Sequence, residues 1–166
     1  MLADSRIKKF IFPDFSVKLL VRAFLVGITA FLLFSYVVIP FSIKGRSMEP
    51  TYADGSFNFC FRPYTLFSKP EKQDVVVIRL AGKKVMLLKR LVATENEIVE
   101  FRNGRLFVNG KMVVEPYVRY SSGWNLPPRQ VKKNNVYVIG DNRGVSIEKH
   151  QFGQTSADRI VGTPLW

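Results

Sequence analysis

A long apolar run near the N-terminus constrains this chain more than any other feature. From Val17 to Ile39 the sequence reads VKLLVRAFLVGITAFLLFSYVVI, and its two charged residues, Lys18 and Arg22, lie in the first two turns. About 23 residues at ~1.5 Å each give a helix of ~35 Å, which is long enough to cross a hydrocarbon core of ~30 Å. Basic side chains at the start of such a helix can extend to the interface. The run therefore predicts a transmembrane anchor.

Two other interpretations of the run are open. A buried core helix that is apolar on all faces would need a large protein around it. A cleaved signal peptide would have a shorter apolar run and a cleavage site flanked by small residues, whereas this run ends in YVVIPF. A retained anchor fits the pattern better than either alternative.

The basic residues on either side of the run predict its orientation. Five of them precede the apolar core and two closely follow it: Arg6, Lys8, Lys9, Lys18 and Arg22 before, Lys44 and Arg46 after. Since cytoplasmic flanks carry the excess of Lys and Arg, the N-terminus is expected on the cytoplasmic side of the cytoplasmic (inner) membrane. Residues 1–40 then form a cytoplasmic stub and single-pass anchor, and residues 41–166 an extracytoplasmic domain.

After Pro40 the sequence changes to short segments rich in Val and Ile. Strands are predicted in four places: Asp74–Leu80, Lys84–Leu91, Glu97–Phe101 and Asn135–Ile139. The pairs Asn103-Gly104 and Asn109-Gly110 predict tight hairpins, because both residue types tolerate positive φ. Ser121–Pro128 is predicted to be a loop, and no long helical pattern follows residue 40. We expect a mainly β fold, with a barrel-like or sandwich-like domain after one N-terminal helix.

Composition narrows the function classes only a little. With 47% hydrophobic and 13% aromatic residues, the chain is not of the disordered type. The formal charge of +12 permits contact with nucleic acid or anionic lipid and identifies neither. The single cysteine, Cys60, excludes an intramolecular disulfide, and the single histidine, His150, makes a zinc site improbable. We expect no metal and no cofactor.

Ser47 is the first candidate for chemistry. Gly45 before it allows positive φ, and Pro50 after it restricts Glu49 to an extended conformation. A serine between them could be held on a rigid turn, although most serines near Gly and Pro are ordinary loop residues. A serine hydroxyl also needs a base before it becomes a good nucleophile.

Lys89 and His150 are the candidate bases. Lys89 lies in the apolar segment VMLLKRLV, where burial would disfavour its charged form. Lowering its pKa from ~10.4 to near 7 costs about 4 kcal/mol, which a hydrophobic pocket can supply, and the neutral amine could then accept the serine proton. The plain alternative is a lysine that points to solvent beside Arg90.

A third polar segment follows the predicted strand Asn135–Ile139. It reads Gly140-Asp141-Asn142-Arg143-Gly144-Val145-Ser146, in which Gly-Asp-Asn indicates a tight turn. The Ser146 hydroxyl could hydrogen-bond a neutral Lys89 and orient it. The plain alternative is a polar turn in which Asp141 makes a solvated ion pair with Arg143 or Arg90.

Taken in this order after an N-terminal anchor, the segments resemble the signature boxes of type I signal peptidases (leader peptidases). The resemblance covers residues 17–162. Ser47–Thr51 is similar to the nucleophile box and Lys89–Ala93 to the box of the catalytic lysine. Asp74–Val77 is similar to a Gly-Asp-Val-Val strand, with Gln73 in place of the glycine, and Gly140–Ser146 to the C-terminal box.

The resemblance implies a role for each matching residue. Ser47 would be the nucleophile of a Ser–Lys dyad, Lys89 its general base, and Ser146 the hydroxyl that orients the lysine. Asp141 and Arg143 would support the site, and the backbone N–H of Ser47 would contribute to the oxyanion hole.

Two further residues of the nucleophile segment gain expected places from the resemblance. Gly45 stands where many Gram-negative members have a serine that supplies a second oxyanion donor, so that donor is in doubt. Met48 would lie near the substrate pocket or the membrane surface.

The chain also departs from the family pattern in supporting segments. Glu148 keeps an acidic position, but His150 replaces an arginine, and Thr94–Glu97 replaces a Gly-x-Pro-Gly-Asp turn. These departures suggest a divergent member with a narrow substrate range.

The resemblance implies a membrane-anchored serine endopeptidase that removes signal peptides from secreted pre-proteins, with small residues at −1 and −3 of the cleavage site. Its expected partners are pre-proteins and the lipid bilayer, and no nucleic acid is expected, since no aromatic–basic RNA-binding motif is present.

Three alternatives stay open. They are a pilin-maturing peptidase of conjugation systems, a self-cleaving repressor with a Ser–Lys dyad, and a catalytically inactive membrane-anchored binding protein. The apolar run disfavours the repressor, which is soluble.

Overall fold

The computed structural model of the chain describes residues 16–63, 68–81, 85–149 and 153–166. The chain divides into two compact units, of which the first ends at Tyr36 and the second begins at Val37. This division falls slightly before the boundary expected from the sequence, which lay between residues 40 and 41.

The first unit contains one helix, α1, which spans Val17–Leu32 and continues as a π-helical segment over Leu33–Val37. Ser16 caps its N-terminus by accepting a hydrogen bond from the backbone N–H of Leu19. Val17–Val37 is long and apolar enough to cross a membrane, and none of it is buried within the protein. The interpretation as a buried core helix is therefore wrong, and one N-terminal apolar helix is confirmed.

The end of the apolar run does not belong to the helix. Val38 and Ile39 lie in strand β1, Val38–Ser42, where they pair with Phe61 and Cys60. Pro40 is tolerated inside this strand because β1 is at the edge of its sheet, where a missing N–H costs no ladder hydrogen bond. The sequence predicted helix for these residues because apolar character alone does not separate a helix end from a buried strand.

The second unit is built from two antiparallel sheets. The larger has seven strands in the order β1-β2-β11-β3-β4-β9-β10. Besides β1 these are β2 Phe57–Phe61, β3 Val75–Ala81, β4 Val85–Ala93, β9 Asn135–Ile139, β10 Gly153–Ser156 and β11 Ile160–Pro164. The smaller sheet has the order β7-β6-β5-β8, with β5 Ile98–Arg102, β6 Arg105–Val108, β7 Lys111–Met112 and β8 Leu126–Gln130. The mainly β fold is thus confirmed.

Local sequence signals located much of the second unit. All four predicted strands are present as β3, β4, β5 and β9, and both Asn-Gly pairs are hairpin turns. Asn103 and Gly104 have φ of 49° and 77°, and Asn109 and Gly110 have φ of 52° and 73°. The predicted loop Ser121–Pro128 is partly wrong, since β8 begins at Leu126. Its two prolines are compatible with a strand because β8 is an edge strand and its register against β5 shifts where they lie.

The larger sheet brings three distant segments together. Strands β3 and β4 lie near its centre, and β9, which pairs with β4, ends just before Gly140. A hydrophobic cluster lies under the turn that follows β1 and consists of Ile43, Met48, Cys60, Val77, Leu88 and Val161. Packing of this cluster holds the turn against the central strands, which places polar side chains of β4 and of the segment after β9 beside it.

Candidate active site

Ser47 lies in a short 3-10 turn, Arg46–Met48, that follows β1. Gly45 precedes the turn with a φ of 93°, a conformation that favours glycine, and its N–H donates a 2.8 Å hydrogen bond to Oδ1 of Asp54. Met48 is buried in the cluster beneath the turn, while Ser47 is half-buried. The turn is therefore held by packing on one side and carries the Ser47 hydroxyl on the other.

Lys89 lies in the middle of β4 and only 3% of it is exposed. Its Nζ is 2.8 Å from Oγ of Ser47, and no salt bridge joins Lys89 to a carboxylate among the described residues. Burial lowers the pKa of Lys89 from 10.5 to about 8, although the negative charge of Asp141 acts in the opposite direction. A substantial fraction of the amine is consequently neutral at mildly alkaline pH and can accept a proton from the serine.

Arg90, the next residue of β4, has different surroundings. Its Nε and Nη2 donate hydrogen bonds of 2.8 Å and 2.6 Å to the two carboxylate oxygens of the buried Asp141. Nη1 donates to the backbone carbonyl of Gln73, and the guanidinium lies 3.7 Å from the centroid of the Tyr117 ring. The alternative of a solvated ion pair at Asp141 is wrong, because this pair is buried.

The turn Arg46–Met48 is called the nucleophile turn, after the predicted role of Ser47. Asp141 and Asn142 join it to the rest of the site. Oγ1 of Thr51 donates a 2.6 Å hydrogen bond to Oδ2 of Asp141. The backbone N–H of Asn142 donates to the Ser47 carbonyl at 2.9 Å, and its Nδ2 donates to the Arg46 carbonyl at 3.0 Å. Two adjacent residues therefore bind both the turn that carries Ser47 and the strand that carries Lys89.

Arg143 is buried behind this joint. Its Nε donates a 2.7 Å hydrogen bond to the Gly140 carbonyl, and Nη1 and Nη2 donate to the Glu115 carboxylate at 3.1 Å and 2.6 Å. Glu115 also accepts a hydrogen bond from the Tyr117 hydroxyl. Burial, together with the Glu115 charge, raises the pKa of Tyr117, so its hydroxyl stays protonated. Arg143 thus fastens the turn after β9 to the segment between β7 and β8.

Ser146 stands apart from this network. The Ser146 side chain is exposed, and no hydrogen bond joins it to Lys89 in the described part of the chain. Its orienting role stays a prediction. His150, the other candidate base, lies outside the described residues.

A shallow cleft runs beside Ser47, which is one of its lining residues. One wall comes from the end of β1 and the nucleophile turn, and the other from the middle of β4. The lining residues are Phe41, Ser42, Ile43, Lys44, Gly45, Ser47, Met48, Met86, Leu87 and Leu88. An extended peptide placed along this cleft would therefore lie next to Ser47.

Several residues of the network had no assigned role in the sequence analysis. Asn142 stood inside a motif whose neighbours were assigned, so its position was a usable signal. Glu115 and Tyr117 carried no such signal, because their partners Arg143 and Arg90 are distant in sequence and only the fold brings them together.

Comparison with known proteins adds an independent observation. The family model described as signal peptidase, peptidase S26, matches residues 16–166. A signal peptidase I of Bacillus amyloliquefaciens is 32% identical over 154 residues, covering 86% of this chain and 80% of that protein. A signal peptidase IB of Staphylococcus aureus is 34% identical over 150 residues, covering 80% of this chain and 78% of that protein. A crystal structure of a signal peptidase I from Enterococcus faecalis aligns with a TM-score of 0.47 at 24% identity, over 58% of this chain and 97% of that chain.

Proposed function

The chain belongs to the signal peptidase family, peptidase S26, and from this premise we propose that Ser47 and Lys89 are the dyad with which it cleaves signal peptides. The family predicted from the sequence motifs is thereby confirmed. The protein is a membrane-anchored serine endopeptidase that removes signal peptides from pre-proteins. The dyad assignment rests on one observation above all, the 2.8 Å separation of Lys89 Nζ from Ser47 Oγ.

The first half of the reaction forms an acyl-enzyme. Neutral Lys89 takes the hydroxyl proton of Ser47 as Oγ attacks the carbonyl carbon of the scissile peptide bond. The carbonyl oxygen becomes an oxyanion, which the backbone N–H of Ser47 faces and stabilises. When the C–N bond breaks, the Lys89 ammonium returns the proton to the leaving amine. The signal peptide is then esterified to Ser47, and Lys89 is neutral again.

The second half reverses the roles. A water molecule attacks the ester carbonyl while Lys89 takes its proton, and the resulting ammonium protonates Oγ of Ser47 as the ester bond breaks. The signal peptide leaves with a new carboxyl group, and both side chains regain their starting forms. Each half needs the amine to be neutral at its start, which burial of Lys89 favours.

The site also explains why Lys89 rather than Arg90 is assigned as the base. Asp141 gives both carboxylate oxygens to Arg90, so the only described hydrogen-bond partner of Lys89 Nζ is the serine hydroxyl. A lysine without a bound carboxylate loses its proton more readily, whereas an arginine side chain stays charged in proteins.

We further propose the topology expected from the flanking charges, in which the N-terminus lies on the cytoplasmic side of the cytoplasmic membrane and the peptidase domain on the outer side. In sequence, only β1 and a few residues separate the apolar helix from Ser47. A signal peptide's cleavage site also emerges just outside the bilayer, so this short spacing fits cleavage near the membrane, while the flanking charges support the orientation. The exposed side chains of α1 fit a lipid environment.

The test uses the full chain in detergent and a pre-protein substrate. Ser47→Ala and Lys89→Ala should each lower kcat at least about 1,000-fold. Lys72→Ala, which removes a half-exposed lysine paired with Glu97, is the matched control and should stay active. His150→Ala should also stay active. An inactive His150→Ala together with an active Lys89→Ala would show that the dyad is wrong.

Mapping the cut site in the same experiment separates the general enzyme from a dedicated maturation peptidase. Cleavage of several unrelated pre-proteins after small residues at −1 and −3 supports a general signal peptidase. Cleavage of a single precursor class would favour the dedicated enzyme. Binding without any cleavage would favour the inactive binding protein.

A further inference from the structure

Asn142 binds the nucleophile turn through both its side chain and its backbone, and only 9% of it is exposed. Its Nδ2 donates to the Arg46 carbonyl at 3.0 Å, and its backbone N–H donates to the Ser47 carbonyl at 2.9 Å. Its Oδ1 accepts the N–H of Gly144 at 3.0 Å. One residue therefore holds the peptide groups on both sides of Ser47.

The first of these peptide groups contains the Ser47 N–H. The Arg46 carbonyl and the Ser47 N–H belong to one planar unit, so in a trans peptide they point in opposite directions. A hydrogen bond that fixes the Arg46 carbonyl consequently fixes the direction of the Ser47 N–H. The Arg46 carbonyl uses its other lone pair for the Glu49 N–H at 3.2 Å, which limits its rotation further. Donation to the carbonyl also polarises the peptide and strengthens the N–H as a donor.

From this geometry we infer that Asn142 is a positioning residue for the oxyanion donor: its side-chain amide aims the Ser47 N–H at the oxygen that becomes negative. The inference rests on the proposed function, in which Ser47 is the nucleophile. It assigns Asn142 no contact with substrate. An oxyanion exists only in the transition state and the tetrahedral intermediate, so the contribution of Asn142 falls on kcat and not on KM.

Two substitutions isolate the Nδ2 donor. Asn142→Asp keeps the shape of the side chain and the acceptor for Gly144, while Asn142→Ser removes the donor without adding a charge near Lys89. Both keep the backbone N–H that binds the Ser47 carbonyl. Asn125 offers a matched control outside the site, because its Nδ2 also donates to a carbonyl, that of Gly123, and its Oδ1 also accepts an N–H, that of Asn103.

Steady-state cleavage of a pre-protein is measured with the full chain in detergent, and kcat is expressed per folded molecule from a melting curve of the same sample. Both Asn142 variants should lose about 10- to 100-fold in kcat with KM changed by less than about twofold, which is the expected size for a misdirected oxyanion donor. The pH profile of Asn142→Ser should match that of the native protein, because the surroundings of Lys89 are unchanged. Asn125→Asp and Asn125→Ser should keep native kcat.

Three steady-state results would overturn the inference while leaving the proposed function intact. They are native kcat in the Asn142 variants, a loss confined to KM, and a loss that disappears when the temperature is lowered below the melting transition. A shifted pH profile in Asn142→Ser would also overturn it, since Asn142 would then act on Lys89. Failure of the proposed function looks different: Ser47→Ala would still cleave, or the native chain would not.

Discussion

Strand β4 buries two successive cationic side chains in contrasting surroundings. Lys89 faces the hydroxyl of Ser47 and, among the described residues, no carboxylate within salt-bridge distance. Burial lowers its pKa to about 8. Arg90 donates hydrogen bonds to both carboxylate oxygens of Asp141 and to the carbonyl of Gln73, and its guanidinium lies over the ring of Tyr117. The first site keeps a proton loosely, while the second keeps its charge permanently.

The difference shows how one carboxylate can support the proposed Ser47–Lys89 dyad without contacting either side chain of the pair. If Asp141 bound Lys89, the ammonium form would be stabilised and the base would be lost near neutral pH. Pairing with Arg90 instead uses the anion to hold β4, Thr51 and the turn after β9 together. The position of Lys89 is thereby fixed, and its pKa stays low.

The largest expected loss of stability follows from removing the negative charge of Asp141, the counter-ion of Arg90. Asp141→Asn leaves a buried guanidinium without a counter-charge and should lower the free energy of unfolding by about 3–5 kcal/mol. Denaturant-induced unfolding of the detergent-solubilised chain measures this loss. The double variant Arg90→Met with Asp141→Asn should be less destabilised than the sum of the two single variants. A single Asp141→Asn variant of native stability would show that the ion pair does not hold the site.

Removal of the other buried cation, the ammonium group of Lys89, should stabilise the protein. Folded Lys89 has a pKa of about 8 against an ordinary value of 10.5. Below pH 8 both folded and unfolded chains are protonated there, and the folded state carries the full penalty of a buried ammonium. Lys89→Met removes it and should raise the free energy of unfolding by up to about 3 kcal/mol at pH 7.

This gain should shrink between pH 8 and pH 10.5, where the folded native chain has lost the proton that the unfolded chain still binds. Lys72→Met, at a half-exposed surface pair, should change stability by less than about 1 kcal/mol. A destabilised Lys89→Met variant at pH 7 would contradict the assignment of a desolvated lysine.

The pH dependence of cleavage tests whether the charge of Asp141, which binds Arg90, also affects the pKa of Lys89. If Lys89 is the base, as proposed, it must be neutral to act, so kcat/KM should rise about tenfold per pH unit below a midpoint near 8 and level off above it. Asp141 raises the pKa of Lys89, so Asp141→Asn should move the midpoint to lower pH in the fraction that stays folded. An unchanged or higher midpoint would mean that the Asp141 charge does not reach the lysine.

The smallest expected effect concerns the carbonyl that Arg90 contacts. Gln73 has a φ of 77°, which costs a residue with a Cβ about 1 kcal/mol, and the family box has glycine at this position. Gln73→Gly should raise the free energy of unfolding by about 0.5–1 kcal/mol, measured by denaturant titration. Asn96→Gly, at a φ of 67°, should gain less because asparagine tolerates this conformation. A loss of stability in Gln73→Gly would show that its side chain contributes contacts that outweigh the strain.

Local signals in the sequence determined the parts that local physics decides. The apolar run predicted α1, a short segment rich in Val and Ile predicted β9, and two Asn-Gly pairs predicted the hairpins around β6, since each depends on residues close in the chain. The order of the motifs led to the pairing of Ser47 with Lys89. The same signals extended the anchor into β1, because strand pairing with β2 overrides apolar character.

What the tertiary structure alone decided is how charge is shared around that pair. The sequence left open whether Asp141 would pair with Arg143 or with Arg90. Folding assigned it to Arg90, gave Arg143 to Glu115, and placed the Asn142 amide on the peptide that carries the Ser47 N–H. Each of these contacts joins residues far apart in the chain, so it exists only once the sheets have packed. The pKa of a buried lysine depends on such contacts and not on its neighbours in sequence.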